Sequence, residues 1–585
     1  MFFYRFVGNR TLVILFLSAL TALLDGIGLA MFIPLFQAAA TDEVNSAESE
    51  FGELRIILEF FEKIGLELNM QTILVIVIVL FSAKGIFKFL ESYYKVKVRL
   101  FFMTKVRYQL LDGMAGLSYL GFIKLDAGRI QNTLSVEVSR LYGSFSNYFN
   151  TIQSFILLLI YMALALLANF QFAILVIICG YLSNLLFKIV YKKTKLLSST
   201  ISDLGHQFQS YLIQSVQYFK YLKATDSIFS YKEKIREKIA DIELSQKRIG
   251  FYDSILQATR EPLVIAMIMV VILIQVSFFD DNLGSVMLSL MFFYRSINSV
   301  LTLQTSYQLF LSNAGSITST EYLLKEFSTN EENIPVQRKV FSDIDITLTK
   351  ISFSFNEKVE VLSEVSLHIP NKSSVAFVGE SGSGKTTLIN ILSGLVNPSY
   401  GTVEVNGVDL TKADKSFYRR NIGYITQEPV IFNDTIFNNV TFWDSKTEEN
   451  VERFHQALKL ASVFDFVGTL PNMEETFLGD NGVFLSGGQR QRISISRELY
   501  KNVEILILDE ATSALDSETE RQIQENIEQL KGKYTLVIIA HRMSTIKNVD
   551  TIYLLDKGKI QASGSFDELI VESAQFKRMI DLQQF

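Results

Sequence analysis

The sequence predicts two parts of different fold class: an α-helical membrane part, residues 1–330, and an α/β part, residues 345–585, joined by a linker, residues 331–344. The first observation is composition: 49% of the 585 residues are apolar and the mean hydropathy is +0.25, which is high for a soluble protein. The second is a change near residue 330, where short apolar strands begin to alternate with amphipathic helices. That alternation is typical of a largely parallel sheet covered by helices.

Six apolar runs are each long enough to cross about 30 Å of hydrocarbon, which takes roughly 20 helical residues. They lie near residues 11–35, 71–91, 150–170, 171–191, 261–280 and 283–305. An even number of spans leaves both termini on one side of the membrane. The first connection is acidic, whereas the second and fourth are crowded with basic residues: Lys95, Lys97, Arg99, Lys105, Arg107, Lys124, Arg129, Lys192, Lys193, Lys195, Lys232, Lys234, Arg236 and Lys238. Because basic connections stay in the cytoplasm, we expect an inner-membrane protein with both termini and the α/β part in the cytoplasm.

Composition also argues against several classes of protein. A net charge of −6 and a pI near 5.6 provide no general cationic surface, so no nucleic-acid partner is expected. The single cysteine, Cys179, lies inside an apolar run, cannot form an intrachain disulfide and is expected to pack in the interior. The amino terminus leads into the first apolar run without a small-residue cleavage site, which favours a retained span over a cleaved signal.

The stretch "VAFVGESGSGKTTLINIL" (375–392) has the strand, glycine-rich loop and helix that a P-loop requires. Glycines allow successive backbone N–H groups to turn toward phosphates, and the helix N-terminus adds its positive end. The lysine reaches the β- and γ-phosphates, and the following threonine hydroxyl binds Mg²⁺. The candidate ATP ligands are Gly379, Glu380, Ser381, Gly382, Ser383, Gly384, Lys385, Thr386 and Thr387.

Three further polar sites follow buried strands. "VEILILDE" ends in Asp509, a candidate Mg²⁺ ligand, and Glu510, a candidate base that orients the attacking water. His541 follows another buried strand and is a candidate contact for the γ-phosphate, although a structural role is the alternative for a lone histidine. Gln427 follows a strand too, and its amide is a candidate ligand of metal and water.

Together these pieces resemble the nucleotide-binding domain of ATP-binding cassette (ABC) transporters over residues 345–570. "GESGSGKTT" is similar to Walker A, "ILILDE" to Walker B, "SALD" with Asp516 to the D-loop, and His541 to the switch histidine. The preceding six spans resemble an exporter-type transmembrane domain on the same chain. The resemblance implies an ATP hydrolase coupled to transport, with ATP and Mg²⁺ as cofactors. It also implies that Phe355 stacks on adenine, where the family usually has tyrosine.

The family signature is matched by "LSGGQ", which comprises Leu485, Ser486, Gly487, Gly488 and Gln489. Topology alone would allow the helix that follows to serve the P-loop of its own chain. In the family, however, the signature lies on a helical subdomain and closes over ATP held by a partner's Walker A. One copy of each motif therefore implies a homodimer, although a related partner chain is an alternative.

Closing such a dimer must move the membrane helices through the two long cytoplasmic connections. "LSYLGFIKLDAGRI" (117–130) and "SYLIQSVQYFKYL" (210–222) resemble the coupling helices that dock on nucleotide-binding domains. Both are amphipathic and rich in aromatic residues. Packing on their own helical bundle is the alternative.

Ionisable residues at membrane depth usually face a cavity or a partner, so Asp25, Lys84, Lys88 and Arg295 are the candidate substrate contacts. Asp25 and Arg295 both fall near mid-membrane, which predicts an ion pair between them. Lys84 and Lys88 lie one turn apart in the inner half of the second span, where they would either attract a phosphate headgroup or extend to the interface.

The first span, with an acid nine residues before Pro34, resembles that of PglK-like flippases of lipid-linked oligosaccharides. The leading hypothesis is therefore ATP-driven flipping or export of an amphipathic substrate, a lipid-linked oligosaccharide or other glycolipid. A multidrug or peptide exporter is the alternative. An ATP-gated channel or regulator is less favoured, because Glu510, His541 and the signature are all intact.

Overall fold

The computed structural model divides the chain into two compact units, Met1–Leu117 with Gly121–Glu331, and Ser118–Leu120 with Glu332–Phe585. It describes residues 2–32, 35, 69–168, 170–278, 283–333, 341–356, 359–509, 517–540 and 542–582. Each unit has its own hydrophobic core.

The first unit is helical. Its helices are α1 (Phe2–Val7), α2 (Arg10–Ala30), α3 (Met70–Ala115), α4 (Tyr119–Lys124), α5 (Ala127–Asn132), α6 (Val138–Ala168), α7 (Phe170–Gln217), α8 (Phe219–Ala224), α9 (Ile228–Phe278), α10 (Leu283–Ser312) and α11 (Ala314–Thr329). A π-helical segment, Thr133–Glu137, separates α5 from α6. At 1.5 Å per residue, the 46 residues of α3 extend about 69 Å, roughly twice the thickness of the hydrocarbon layer.

The six predicted spans fall on α2, α3, α6, α7, α9 and α10. Within the described residues, three helical stretches are long and apolar enough to cross a membrane: Arg10–Ala30, Met70–Ala115 and Ala127–Leu166. The length of α3, α7 and α9 agrees with the expectation that helices continue beyond the membrane, since each has more than twice the residues that a span needs.

Short helices occur in both segments with predicted docking helices, but at shifted bounds. The segment 117–130 contains α4 and the first four of the six residues of α5. In the segment 210–222, residues up to Gln217 are the last turns of α7, and a separate short helix, α8, begins only at Phe219. Their docking role remains a prediction.

The second unit contains two sheets. Its strands are β1 (Ile346–Asn356), β2 (Val359–Ile369), β3 (Ser374–Val378), β4 (Tyr400–Val405), β5 (Val408–Asp409), β6 (Ile422–Ile425), β7 (Ile505–Asp509), β8 (Thr535–Ile539), β9 (Thr551–Asp556) and β10 (Lys559–Gly564). Strands β2, β1, β4 and β5 form an antiparallel sheet in that order. The larger sheet has the order β10-β9-β3-β8-β7-β6 and is parallel except for β10.

The helices of this unit are α12 (Lys385–Leu392), α13 (Lys415–Arg419), α14 (Ile436–Thr441), α15 (Glu448–Leu460), α16 (Phe464–Thr469), α17 (Gly487–Tyr500), α18 (Ser517–Leu530), α19 (Phe566–Glu572) and α20 (Ala574–Asp581). One core fills the space between the two sheets and α12. A second core joins the other face of the large sheet to α14, α15 and α17. The α/β fold with a helical subdomain that the sequence predicts is thus confirmed.

The helical subdomain is tied together by a buried arginine, Arg497 on α17. Its guanidinium donates to the carbonyl of Asn439 at 2.6 Å and to that of Val430 at 2.7 Å. The rings of Phe432 and Phe442 also lie within 5.3 Å of it. Burial lowers the pKa of Arg497, but hydrogen bonds to neutral carbonyls and contacts with aromatic faces still suit a delocalised cation. This anchor fixes α17 relative to α14.

Candidate nucleotide-binding site

The parallel register brings the carboxyl ends of β3, β6, β7 and β8 to one edge of the sheet. Asp509 is paired with Ile539 on β8, and Ile425 on β6 is paired with Leu508 on β7. Ligands of open α/β sheets bind outside this edge. The P-loop and the residues that follow the three neighbouring strands therefore share one region.

The P-loop has the conformation that phosphate binding requires. Gly379 has φ +156°, and a Cβ atom there would lie 2.1 Å from the carbonyl oxygen of Leu555, so only glycine fits. Gly384 caps α12 with φ +104°. Since α12 starts at Lys385, its first turn lies directly beneath the loop, and the first amides of a helix have no acceptor within the helix.

Lys385 lies inside the curve of the loop, and its ammonium donates to the carbonyls of Gly379 at 2.8 Å and Glu380 at 3.0 Å. The buried hydroxyl of Ser383 has no hydrogen-bond partner among the described residues. Thr386, by contrast, is exposed at the first turn of α12. A positive helix end, a buried ammonium and an unsatisfied hydroxyl fit a bound triphosphate.

Asp509 ends β7 and is half-buried. The hydroxyl of Tyr424, on the adjacent strand β6, donates to Asp509 Oδ2 at 3.1 Å. Burial and the neighbouring carboxylate raise the pKa of Tyr424, which therefore stays a donor at neutral pH. Gln427 is exposed two residues beyond β6. Sequence reasoning missed Tyr424, because a tyrosine in a strand gives no indication of what its hydroxyl contacts.

Phe355 is the residue before the last in β1, and 57% of its surface is exposed. Phe353 packs against it edge to face, with ring centroids 5.0 Å apart. That support leaves the Phe355 ring available for stacking on a planar base. Glu510, Asp516 and His541, the other predicted residues of this region, lie outside the described residues.

The signature residues form the start of α17. Ser486 and Gln489 make a capping box, in which the Ser486 amide donates to Gln489 Oε1 at 2.8 Å and the Gln489 amide donates to Ser486 Oγ at 3.2 Å. Leu485 is buried and anchors the chain before the helix. The amides of Gly487 and Gly488 lie in the first turn, where a helix has no acceptor of its own. This end of α17 can therefore bind an anion.

The last turn of the signature helix lies beside the edge strand β6, which is three strands away from the P-loop strand. Glu498, on α17, accepts a hydrogen bond from the backbone amide of Tyr424 on β6 and pairs with Lys501 at 2.6 Å. In the sheet, β8 and β7 separate β3 from β6. With strands about 4.8 Å apart, β3 and β6 are separated by roughly 14 Å.

The prediction that Asp25 forms an ion pair with Arg295 is wrong, because the partner of Asp25 is Lys84. Asp25 is buried, and one of its oxygens accepts from Lys84 at 2.5 Å. Its other oxygen accepts from the hydroxyl of Tyr161 on α6. Within the described residues, no salt bridge joins Asp25 to Arg295, which lies half-buried on α10. Lys84 satisfies Asp25 because α2 packs directly along α3.

Lys88 pairs with a buried acid that sequence reasoning missed, Glu91. Their charged atoms are 3.1 Å apart, and Ser18 on α2 donates to the other oxygen of Glu91 at 2.7 Å. Glu91 is 1% exposed, whereas the side chain of Lys88 is 47% exposed. An acid three residues after a lysine at the end of an apolar run could have revealed this pair.

The family model described as "ABC transporter transmembrane region" matches residues 12–302, and the model described as "ABC transporter" matches residues 362–513. The chain belongs to the ABC transporter family. It is an exporter-type member whose transmembrane and ATP-binding domains are fused, and it couples ATP hydrolysis to transport across the membrane. The identification from its motifs is confirmed.

Two relatives and one solved structure show how the transporter compares with known proteins. An "ATP-dependent lipid A-core flippase" of Desulfotalea psychrophila is 43% identical over 234 residues, 40% of each chain. A flippase of the same name from Bordetella avium is 27% identical over 521 residues, covering 87% of this chain and 86% of that one. The fold matches a bacterial Atm1-family ABC exporter with ATP bound, with a TM-score of 0.79 at 21% identity, over 99% and 98% of the two chains.

Tyr424→Phe tests whether this hydroxyl positions Asp509. Losing one hydrogen bond to a carboxylate should raise the Mg²⁺ concentration for half-maximal ATP hydrolysis about tenfold. Phosphate release measured over a Mg²⁺ titration checks this. Tyr553→Phe, which removes a hydroxyl bonded to the carbonyl of His368 at 2.8 Å, is the matched control and should leave the Mg²⁺ dependence unchanged. Equal Mg²⁺ curves for wild type and Tyr424→Phe would contradict the positioning role.

Proposed function

We propose that the transporter works as a homodimer that flips a phosphate-bearing glycolipid across the cytoplasmic membrane. In this proposal each chain binds one ATP at its P-loop, and the signature of the other chain completes each site. The observation that carries the proposal is the roughly 14 Å of sheet between the P-loop strand and the strand beside the signature helix. A signature helix that contacts the sheet at its far edge strand suits a nucleotide held by a second copy.

The residues around the P-loop suit Mg²⁺ that is bound jointly with ATP. Within the described part of the chain, no group of three His, Cys, Asp or Glu side chains could hold a metal by itself. Mg²⁺ commonly binds through one or two carboxylates together with substrate phosphates, and there it neutralises the charge that develops on them. Thr386, Asp509 and Gln427 are the residues that would hold it.

The remaining steps belong to residues of this chain. Lys385 leaves its two loop carbonyls to pair with the terminal phosphates, and the buried hydroxyl of Ser383 gains a partner. Glu510 orients the attacking water and accepts its proton, and His541 contacts the γ-phosphate. The D-loop residue Asp516 lies next to the partner's site.

The domains move because ATP binds the closed dimer more tightly than the open one. Two ATP molecules stabilise the closed dimer, and hydrolysis with product release removes that preference. The short helices α4, α5 and α8, in the middle of the long cytoplasmic connections, transmit the closure to the spans. Both termini and the nucleotide-binding domain lie on the cytoplasmic side, which agrees with the basic second and fourth connections.

A phosphate-bearing substrate is supported by the lysines of α3 and by the flippase relatives. Asp25 and Glu91 each accept a second hydrogen bond from a hydroxyl, of Tyr161 and Ser18. Each acid therefore keeps a donor when its lysine turns toward a substrate. The two flippases described above are named for lipid A-core, a phosphorylated glycolipid, and lipid-linked oligosaccharides carry the same combination of phosphate and sugar.

Glu510→Gln tests the assigned base. Loss of a general base typically costs 10²- to 10⁴-fold, so hydrolysis should fall at least about 100-fold while ATP binding persists. Phosphate release and retention of labelled ATP on the dimer measure the two properties. Glu525→Gln, an exposed glutamate on α18, is the control and should hydrolyse ATP normally. Undiminished turnover in Glu510→Gln would contradict the assignment.

Stimulation of ATP hydrolysis in lipid nanodiscs tests the substrate class. Lipid A and polyprenyl-pyrophosphate saccharides should both raise the rate, whereas cationic drugs should not. Lys88→Gln should weaken the stimulation several-fold, since a charged hydrogen bond is worth about tenfold in affinity. Lys97→Gln, a lysine stacked on Tyr93 of the same helix, is the matched control. Stimulation by drugs alone would refute the glycolipid proposal.

A further inference from the structure

The helical unit contains a cavity of about 450 Å³ bounded by α6, α7, α9 and α10, and no residue discussed so far lines it. Its volume lies in the range of small-molecule sites, about 300–1,000 Å³. Asp253 on its wall lies eight residues before the predicted fifth span, and Gln308 lies three residues after the sixth. At 1.5 Å per residue, these positions are about 12 Å and 5 Å beyond the span ends.

Two of the residues that line the cavity each carry a buried acceptor atom without a hydrogen-bond partner among the described residues. Gln308 is 1% exposed; its amide nitrogen donates to the hydroxyl of Thr194 at 2.8 Å, while its Oε1 is unpaired. Asp253 accepts from Gln257 through Oδ2 at 2.7 Å, while its Oδ1 is unpaired. A buried acceptor without a donor costs free energy, so the site favours a ligand that brings donors.

The charges of the residues that line the cavity favour a cationic ligand over an anionic one. Arg140 is the only cationic residue among its described lining residues, and its guanidinium is already paired with both oxygens of Glu137 at 3.1 and 3.2 Å. It also donates to the hydroxyls of Ser202 and Ser198. Within the described residues, Asp253 has no salt-bridge partner. The carboxylate of Asp253 therefore remains the uncompensated charge of the cavity.

We propose that this cavity binds a small hydroxylated amine, an amino sugar being the type case. The side chains of Asp253 and Gln308 turn toward the ligand, so that the ammonium donates to Asp253 Oδ1 and an adjacent hydroxyl donates to Gln308 Oε1. The exposed amide of Gln246 at the rim accepts or donates to further hydroxyls. The site goes beyond the proposed function, because its binding requires neither ATP nor a second chain.

Titration of the purified full-length transporter in detergent with glucosamine, without ATP, tests the site by calorimetry. Glucosamine should bind at least about tenfold more tightly than glucose, since a charge-assisted hydrogen bond exceeds a neutral one by that factor. Glucuronate should bind more weakly than glucose. Equal affinity for the three sugars, or preference for glucuronate, would overturn the proposal.

Variants separate the site from nonspecific attraction. Asp253→Asn keeps the shape of the side chain and should abolish the preference for glucosamine over glucose. Gln308→Met removes the second acceptor and should weaken both sugars several-fold, and it keeps the proposal testable if Asp253→Asn does not fold. Glu243→Gln, an exposed acid ten residues earlier on α9, is the matched control and should bind like wild type. Retained preference in folded Asp253→Asn would overturn the proposal.

Repeating the glucosamine titration in nanodiscs distinguishes two sources of the amine that the site binds, a lipid headgroup and a free amine in solution. A weaker apparent affinity in discs containing phosphatidylethanolamine than in discs of phosphatidylcholine, which has the same net charge but no N–H donor, supports the site and assigns it to lipid headgroups. The same affinity in both discs supports the site and assigns it to free amines. Loss of glucosamine binding in both discs would overturn the proposal.

Discussion

A nucleoside triphosphate carries several negative charges, and the backbone amides at a helix N-terminus can stabilise part of this charge without adding further buried cations, which are costly to desolvate. This chain offers two helix N-termini for that purpose, those of α12 below the P-loop and of α17 at the signature. The first of these helices directly follows the central strand β3, whereas α17 contacts the edge strand β6 through Glu498 in its last turn. The proposed dimer, the composite ATP sites and the coupling to transport all depend on this separation.

The distance between the signature helix α17 and the P-loop strand β3 is maintained by contacts of α17 with the helical subdomain and with β6. In the last turn of α17, Arg497 donates to the backbone carbonyls of Asn439 and Val430, and Glu498 accepts from the backbone of β6. A rigid α17 means that a phosphate bound at its start pulls on the whole helical subdomain. Binding at this end can therefore be transmitted as a rigid-body movement, which is how closure of two domains usually proceeds.

Most of the nucleotide site could be predicted from the sequence because its chemistry is local. The order of strand, Gly379 to Thr387 and helix specifies both a backbone shape and a ligand, and Asp509 is placed by the buried strand before it. Tyr424 could not be predicted, because its contact depends on β6 lying next to β7, which only the sheet order reveals. The same holds for the buried hydroxyl of Ser383, whose lack of a partner is a property of the folded loop.

The membrane part was less predictable because contacts there join different helices. The position of Asp25 along the first span correctly indicated that its carboxylate needs a partner. Position along a span does not indicate, however, which helices are neighbours. Because α2 packs along α3, Asp25 on α2 forms its ion pair with Lys84 on α3. Arg295 lies on another helix, α10. The π-helical segment before α6 likewise has no pattern in the sequence, and the bounds of α8 depend on where α7 stops.

The most direct test uses dimers built from two differently tagged chains, with vanadate-trapped nucleotide counted per dimer. Lys385→Met inactivates a P-loop, and Gly487→Asp places a negative charge in a signature. If sites form between chains, a dimer with Lys385→Met in one chain and Gly487→Asp in the other keeps one intact site and traps one nucleotide. Both substitutions in one chain beside a wild-type chain should then trap none. The reverse outcome would contradict the account, because it would mean that each chain completes its own site.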